Sequence, residues 1–203
     1  MKFRVSAAAL ILVGLVSAGC SQSSGPLSPT ADKKPRADVV AVDRTVESAC
    51  GQSARVRFLA GQHIEVGDVT VTNDENTLCV DLVTRDGWYM DESHVAIALT
   101  PEELPQTGAG NPQVGHFALS DRHEPGTQSV SYCIDLGDAG FAGAQDLVIA
   151  AHAVVHFEEE DDSNEKAVQE ETAWGEGTEF PGNSWAMYFA YEKQDCGGEI
   201  QGE

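Results

Sequence analysis

Apolar and polar residues alternate along short segments of the chain between residues 55 and 191. Alternation with a period of two predicts half-buried strands, because successive side chains of a strand point to opposite faces. Turn-forming residues separate these segments and no convincing amphipathic helix is found, so we predict an all-β fold, an antiparallel β-sandwich with long loops. The predicted strands are residues 55–58, 64–66, 69–71, 78–83, 88–99, 114–119, 130–136, 147–157 and 185–191.

Some segments depart from simple alternation. The apolar positions change parity at Gly67 and Asp68, which predicts a bulge or a sharp bend. Residues 147–157 are apolar on both faces, which predicts a central strand. Residues 100–112 are rich in Pro and Gly and predict a loop, while residues 158–171, with eight acidic side chains, predict a solvated loop.

The N-terminus has the pattern of an export signal. Lys2 and Arg4 precede an uncharged, mostly apolar run at residues 5–16, which is followed by small residues. This order is typical of a secretory signal peptide, and the run is shorter than the ~20 residues that span a bilayer as a helix. We therefore expect a signal peptide at 1–19, a flexible tether at 20–45, one β-sandwich domain at 46–198 and a tail at 199–203.

The end of this signal, Val16-Ser17-Ala18-Gly19-Cys20, resembles the lipobox of bacterial lipoproteins. The resemblance implies that the Cys20 thiol carries diacylglycerol and that its new amine is acylated, with palmitate a typical chain. It also implies an extracytoplasmic protein anchored to the cell membrane or the outer membrane through its lipid. Ser17 departs from the pattern, since Leu, Val or Ile is commoner there.

The charge of the chain is strongly negative. There are 12 Lys and Arg against 33 Asp and Glu, and removal of Lys2 and Arg4 with the signal leaves 10 − 33 = −23. Nucleic acids are poor partners for such a field, because binding to phosphates needs clustered cations. Two interpretations fit this charge: a protein that binds cations, and an acidic surface that keeps the protein soluble in a saline environment. We favour the second, because net charge is evidence about solubility before it is evidence about a binding site.

Four cysteines remain once Cys20 is lipidated, and an even number in an exported chain predicts two disulfides. Three pairings are possible. Cys50 and Cys196 lie near the two ends of the domain, where a bridge would join the termini. Cys79 and Cys133 lie in matching Cys-x-Asp-Leu segments with the opposite parity to the apolar residues, so both point to the polar face. We therefore expect Cys50–Cys196 and Cys79–Cys133.

Several phrases between residues 55 and 191 resemble a β-rich module that recurs in secreted and surface proteins. The resemblance implies domain boundaries and an extracellular setting, and it brings no activity and no catalytic residues with it. The phrases are AGQHIEVG at 60–67, VTVTND at 69–74, GWYM at 87–90 followed by SHV at 93–95, IAAHA at 149–153, ETAWGEG at 171–177 and FPGNSWAMYF at 180–189.

Histidines and carboxylates provide candidate metal ligands. Imidazole and carboxylate groups on neighbouring strands are the donors that zinc accepts, which makes a set of Glu92, His94, His152 and Glu171 a hypothesis. The chain has no tight ligand motif, so buried histidines satisfied by hydrogen bonds are the favoured interpretation. The run from Glu158 to Glu165 offers oxygen ligands for calcium, but it lacks the spacing of a calcium loop, and we favour a solvated loop without a cofactor.

Aromatic residues in loops provide candidate ligand contacts. Trp88, Trp174 and Asn183 lie in Gly-rich or turn-rich segments, and Trp faces can stack on sugars or contact a protein partner. Glu171 and Glu176 flank Trp174, and paired carboxylates can cleave glycosides. We expect a non-enzymatic binding or adhesion module with a glycan or surface-protein ligand; a metal-dependent or glycoside-cleaving enzyme and a passive envelope protein are the alternatives. The oligomeric state is left open.

Overall fold

The computed structural model describes residues 39–43, 45–46, 48–158 and 168–197 of the chain, with the side chain of Val168 left aside. These residues belong to one compact unit, Pro35–Glu203. The expectations for the signal peptide, Cys20, most of the tether, the tail at 199–203 and the acidic run at 159–165 lie outside the described residues.

The described part of the chain is an antiparallel β-structure, so the predicted all-β fold is confirmed. Two short 3₁₀ turns, Pro101–Glu103 and Val114–His116, interrupt the loops. No helix in the described ranges is long and apolar enough to cross a membrane. The strands are β1 (Ala54–Ala60), β2 (Ile64–Asn73), β3 (Thr77–Thr84), β4 (Trp88–Ala98), β5 (Leu119–Arg122), β6 (Ser129–Asp135), β7 (Asp146–Glu158), β8 (Val168–Gly175), β9 (Thr178–Glu179) and β10 (Met187–Glu192).

The strands form one continuous sheet in the order β5-β4-β7-β8-β1-β2-β3-β6, with β10 paired to β7 and β9 paired to β10. The short connection at 123–128 joins β5 to β6, so the two ends of this order are neighbours along the chain. Ser93 Oγ on β4 lies 2.7 Å from the Tyr132 hydroxyl on β6, a contact across the remaining gap. The sheet therefore folds over onto itself and encloses one of its faces.

The enclosed face forms the main core. Alternate residues of nine strands point into it, which is the burial that the alternation in the sequence predicts. Its fully buried side chains include Phe58, Leu82, Ile134, Ile149 and Tyr191. Asn73 is a buried polar residue beside this core. Its side-chain oxygen accepts hydrogen bonds from the Tyr191 hydroxyl and the backbone N–H of Gln194.

A second, smaller apolar cluster lies on the opposite face of the sheet, which we call the outer face. Residues 99–118 and 176–186 form two long loops that cover this part of the outer face, and we call them together the loop cap. The central strand β7 contributes to both clusters, with Ile149 in the main core and Ala150 beneath the loop cap. It pairs with β4 along one edge and with β8 and β10 along the other, so its predicted central position is confirmed.

A bulge lies in β2 beside the predicted position. Phe58 of β1 pairs with Gly67 and the next residue, Leu59, pairs with Glu65, so Val66 is the extra residue of β2. This insertion allows Val66 and Val69 both to reach the main core despite their different parity. Gly67 is required where β2 meets β3, because a Cβ there would lie 1.8 Å from the carbonyl oxygen of Val83.

Two disulfides are formed, and both predicted pairings are confirmed: Cys50–Cys196, which joins the segments before β1 and after β10, and Cys79–Cys133. Cys79 and Cys133 are directly opposed partners of β3 and β6 and lie on the face away from the main core, as predicted. Both are nevertheless buried. The backbone N–H of Val42 donates to the carbonyl of Cys133, which places the segment before the domain along β6.

The structure corrects three predicted segments. Residues 114–116 form a 3₁₀ turn and the strand β5 begins only at Leu119, although residues 114–119 are a predicted strand. The strand β8, Val168–Gly175, is absent from the predicted strands and its first half falls in the predicted loop at 158–171; its backbone pairs with the end of β7. Trp185 precedes β10, and Met187 belongs to the cluster beneath the loop cap, whereas Phe189 and Tyr191 lie in the main core.

Candidate functional site

Two buried histidines are direct neighbours on the outer face, at the edge of the loop cap. His94 of β4 and His152 of β7 are paired across the strands, and their ring centroids lie 5.6 Å apart. Trp174 of β8 is paired with His152 on its other side, with a centroid separation of 4.7 Å. Directly opposed residues of antiparallel strands place their side chains on one face, so register brings these three rings into a row.

A carboxylate orients His94. Glu92 Oε1 lies 2.7 Å from His94 Nε2, and the guanidinium of Arg122 on β5 lies 3.3 Å from the other oxygen of Glu92. Glu92 and His94 are two residues apart on β4 and share the outer face, which permits this contact. Because a carboxylate accepts hydrogen bonds, His94 Nε2 carries a proton, and in the tautomer with this single N–H the lone pair is on Nδ1.

The second nitrogen of His94 and one nitrogen of His152 are buried without a hydrogen-bond partner among the described residues. These atoms are His94 Nδ1 and His152 Nδ1. The side chain of His94 is 9% exposed and His152 is 5% exposed. Buried polar atoms of native proteins are nearly always hydrogen-bonded, so two neighbouring exceptions call for a physical explanation.

Burial keeps His152 uncharged. Loss of solvation, with the neighbouring His94 as a smaller cause, lowers the pKa of His152 from 6.5 to about 3. Both causes disfavour the protonated form, since an imidazolium there would lose its hydration beside Trp174 and next to another ring that can be charged. At neutral pH His152 therefore presents a neutral imidazole.

Glu171 does not join this site, which corrects the predicted four-residue metal set. Its cross-strand partner is Val155, a residue of the main core, so Glu171 lies on the other face of the sheet from His94 and His152. Its carboxylate accepts a hydrogen bond from Gln169 at 3.2 Å. Within the described ranges no group of three or more His, Cys, Asp and Glu side chains is arranged to hold a metal ion.

Glu171 and Glu176 do not form a glycosidase pair. Glu176 follows the last residue of β8, and at about 3.3 Å per residue the strand from Glu171 to Gly175 places their Cα atoms more than about 13 Å apart. Glycosidase carboxylates lie about 5–10 Å apart. Glu176 is bound by Arg57, whose Nε donates to it at 2.7 Å, and this hydrogen bond lowers the pKa of Glu176. A carboxylate held ionised in this way is a poor general acid.

The two tryptophans predicted to contact a ligand are buried, which corrects their role. Trp88 packs in the main core against Phe157, with ring centroids 5.4 Å apart. Trp174 lies beneath the loop cap between Phe117 and Phe180, and it is 5% exposed. Neither indole can serve as a surface contact while the fold is intact.

The loop cap itself is built as a fixed surface. The side-chain oxygen of Asn111 accepts hydrogen bonds from the backbone N–H groups of Asn183 and Ser184, at 2.9 and 3.2 Å. The backbone N–H of Gly182 also donates to the carbonyl of Gly110. Any Cβ on Gly182 would lie 2.4 Å from the Asn111 side-chain oxygen, so the two loops meet at a position that only glycine fits.

Partly exposed aromatic residues border the loop cap, and sequence reasoning missed them. Trp185 and Tyr188 pack against the cluster beneath the cap but retain accessible surface, and Asn183 between the loops is exposed. The predicted strand at 185–191 places Trp185 on the same side as Phe189, which lies in the main core. The position of Trp185 only one residue after a Gly-Asn-Ser turn is the signal that could have placed it at the surface.

A further buried chain of polar side chains crosses the gap between β4 and β6. Ser93 Oγ lies 2.7 Å from His123 Nε2 and 2.7 Å from the Tyr132 hydroxyl. Ser93 has no exposed surface, and burial is the main cause that raises the pKa of Tyr132. This chain holds the two ends of the sheet together and leaves Ser93 out of reach of a substrate.

No family model matches the chain, and comparisons with curated proteins and with solved structures found no match. The functional conclusion therefore rests on the residues and their geometry.

Proposed function

We propose that this protein is a lipid-anchored, extracytoplasmic binding module of the bacterial cell envelope, and that the loop cap is its binding surface. The ligand is an extracellular glycan or surface protein. Cys20 provides attachment to the cell membrane or the outer membrane, and residues 21–38 hold the domain away from it. The observation that carries the proposal is the fastening of the two long loops through Asn111, beside the partly exposed Trp185 and Tyr188.

Preorganisation is the physical argument for this surface. A loop that must be ordered during binding reduces the affinity, whereas a loop already held in place does not. The hydrogen bonds of Asn111 and the apolar cluster with Phe117 and Phe180 hold these loops before any ligand arrives. Trp and Tyr are well suited to such surfaces, because they bury large areas at a small cost in side-chain entropy.

The candidate catalytic groups support binding rather than turnover. Glu176 is engaged by Arg57, and the Glu171 carboxylate is on the core side of the sheet. Catalysis requires acid, base and substrate positions within hydrogen-bonding reach of one another, which this pair does not provide. The acidic surface favours neutral or cationic ligand groups over phosphate-rich ones.

The binding test compares two variants of the loop cap with one surface control. The purified protein is applied to arrays of glycans and of bacterial and host surface proteins, and the strongest ligand is titrated. Trp185→Ala is expected to weaken binding at least 10-fold by removing contact area, and Asn111→Ala at least 3-fold by loosening the loops. Val83→Ala, at a 37% exposed position of β3, is expected to leave binding unchanged.

Several outcomes would contradict this proposal. Wild-type affinity in a folded Trp185→Ala variant would remove the loop cap as the binding surface. An absence of any ligand on both arrays would favour a passive structural role. Hydrolysis of a glycan by the purified protein would support an enzyme instead.

A further inference from the structure

The rings of His94 and His152 are neighbours, and each has a buried nitrogen for which the described part of the chain offers no partner. The two residues are directly opposed on β4 and β7, with ring centroids 5.6 Å apart. Both side chains are at least nine-tenths buried, and Nδ1 of each is without a hydrogen bond among the described residues. A buried polar nitrogen without a partner is costly, and its occurrence on two neighbouring rings indicates that something binds both.

The hydrogen bond from His94 to Glu92 selects the tautomer that a metal ion requires. With the Nε2 proton donated to the Glu92 carboxylate at 2.7 Å, the lone pair of His94 is on Nδ1. Histidine ligands of metals almost always donate their other N–H to a carboxylate, carbonyl or water, which fixes the ring and raises its basicity. Arg122 in turn lies 3.3 Å from Glu92, so the orienting carboxylate is itself held in place.

The spacing of the two rings suits one ion. An imidazole nitrogen binds a transition metal at about 2.0–2.1 Å, which places the ring centroid about 3 Å from the ion. Two rings on one ion can therefore have centroids up to about 6 Å apart. The observed separation of 5.6 Å is within that limit.

We propose that His94 and His152 bind one late first-row transition-metal ion, of the Zn²⁺ or Cu²⁺ class, through their Nδ1 atoms, with Glu92 as the orienting partner. Water or an exogenous ligand completes the coordination, because the described residues supply only these two donors. Imidazole is a preferred ligand of these ions, whereas Ca²⁺ and Mg²⁺ prefer oxygen. This inference is independent of ligand binding by the loop cap.

The charges around the pair suit a cation. The charged groups around the pair are Glu92 on β4, Arg122 on β5 and Glu170 on β8. Glu170 is exposed and pairs with His156, which is four residues beyond His152 on β7. The net charge of the chain further favours a cation.

The test uses the purified full-length mature protein after treatment with a chelator. Zn²⁺ is titrated by calorimetry at pH 7.5, with His94→Gln, His152→Gln and Glu92→Gln as variants. We expect one equivalent of Zn²⁺ to bind, a loss of at least 30-fold in affinity for either His variant, and a 10- to 100-fold loss for Glu92→Gln. His116→Gln, an exposed histidine of the loop cap, is the matched control and is expected to bind as the wild type does.

A second measurement on the wild type does not depend on the folding of any variant. In protein labelled with ¹⁵N-histidine, Zn²⁺ is expected to shift the Nδ1 resonances of two histidines. The Nε2 atoms of the same two rings are expected to remain protonated. An absence of such shifts, with no measurable calorimetric binding, would mean that a buried water joins the two rings and that the proposal is wrong. Equal Zn²⁺ affinity in folded His94→Gln and the wild type would also overturn it.

Discussion

At the residue scale, Trp174 is a core residue whose position in a Gly-rich segment made it resemble a surface contact. Its indole packs against His152, Phe117 and Phe180, which belong to β7 and to both loops of the cap. A single side chain therefore holds together the strand and the two loops that cover it. Trp185, in contrast, lies at the border of the same cluster with part of its surface accessible.

Trp174→Ala is expected to lower the free energy of unfolding by about 3–5 kcal/mol, because it removes a buried indole and leaves a cavity. Trp185→Ala, at a partly exposed position, is expected to cost less than half as much. Urea denaturation followed by circular dichroism measures both. If the two variants lose the same stability, the distinction between core and surface tryptophans is incorrect.

Asp68 provides a second prediction at this scale. It is largely buried between Arg55 and Arg85, and both guanidinium groups hydrogen-bond to its carboxylate. The hydrogen bond from Arg55, opposed by desolvation and assisted by Arg85, lowers the pKa of Asp68 below 3.8. A folded-state pKa below the unfolded value stabilises the fold above about pH 4, and this contribution is lost as the pH falls through the folded-state pKa.

Asp68→Asn is therefore expected to destabilise the protein by about 1–2 kcal/mol at pH 7, a figure reduced by the solvent exposure of both arginines. The difference from the wild type should narrow as the pH falls below about 4 toward the lowered pKa of folded Asp68, because the wild-type carboxylate is then progressively protonated. Urea titrations at pH 7, 4 and 2.5 follow this change. A difference that stays constant across the three pH values would show that charge is not its cause.

At the scale of elements, the register of β3 against β6 is reinforced by a covalent bond. Cys79 and Cys133 are exact partners in that register, and 54 residues separate them along the chain. Leu78 and Ile134 are the adjacent pair and reach the main core from the same two strands. A slip of one residue would break both features, so packing and the disulfide specify the same register.

The double variant Cys79→Ala/Cys133→Ala is expected to lose about 2–4 kcal/mol of stability, since the bridge restricts the unfolded chain. The Cys50–Cys196 bridge closes a longer loop, with a sequence separation of 146 residues. The double variant Cys50→Ala/Cys196→Ala is therefore expected to lose at least as much stability. Guanidinium denaturation of both variants and of the wild type provides the comparison. A loss below about 0.5 kcal/mol for both pairs would indicate that the sheet alone supplies the stability.

At the scale of the whole molecule, the described domain is a disulfide-linked β-fold within a chain of net charge −21. Its described surface offers scattered apolar positions, such as Val40 and Leu99, rather than a large apolar patch. In the proposal made above, the lipid of Cys20 provides membrane attachment, because acyl chains contribute about 0.8 kcal/mol per buried methylene and two or more anchor stably.

Cys20→Ala is expected to abolish membrane retention and to leave soluble protein or uncleaved precursor. Labelling of cells with a radioactive fatty acid, followed by membrane fractionation, tests this directly. A substitution of Ser21 by Ala, next to the proposed lipid site, serves as the control and should retain the label. Label that persists on the Cys20→Ala protein would exclude Cys20 as the attachment site.

The sequence by itself determined the class of fold, the central strand and the two disulfides. Alternation is a local property, because the side-chain period of a strand is two whatever its neighbours are. The parity of Cys79 and Cys133 followed from the same rule, as did the bulge beside Gly67. The strand β8 escaped detection, since its first half is polar and carries no apolar pattern, and pairing with β7 is what orders its backbone.

Only the tertiary structure decided which residues meet. The contact of His94 with His152, the burial of Trp174 and the separation of Glu171 from both histidines depend on which strands pair and in which register. A shift of one residue in either pairing would exchange the two faces and disperse the site. The loop cap depends in the same way on contacts between segments about 70 residues apart, because Asn111 finds its partners at Asn183 and Ser184 only after the chain has folded.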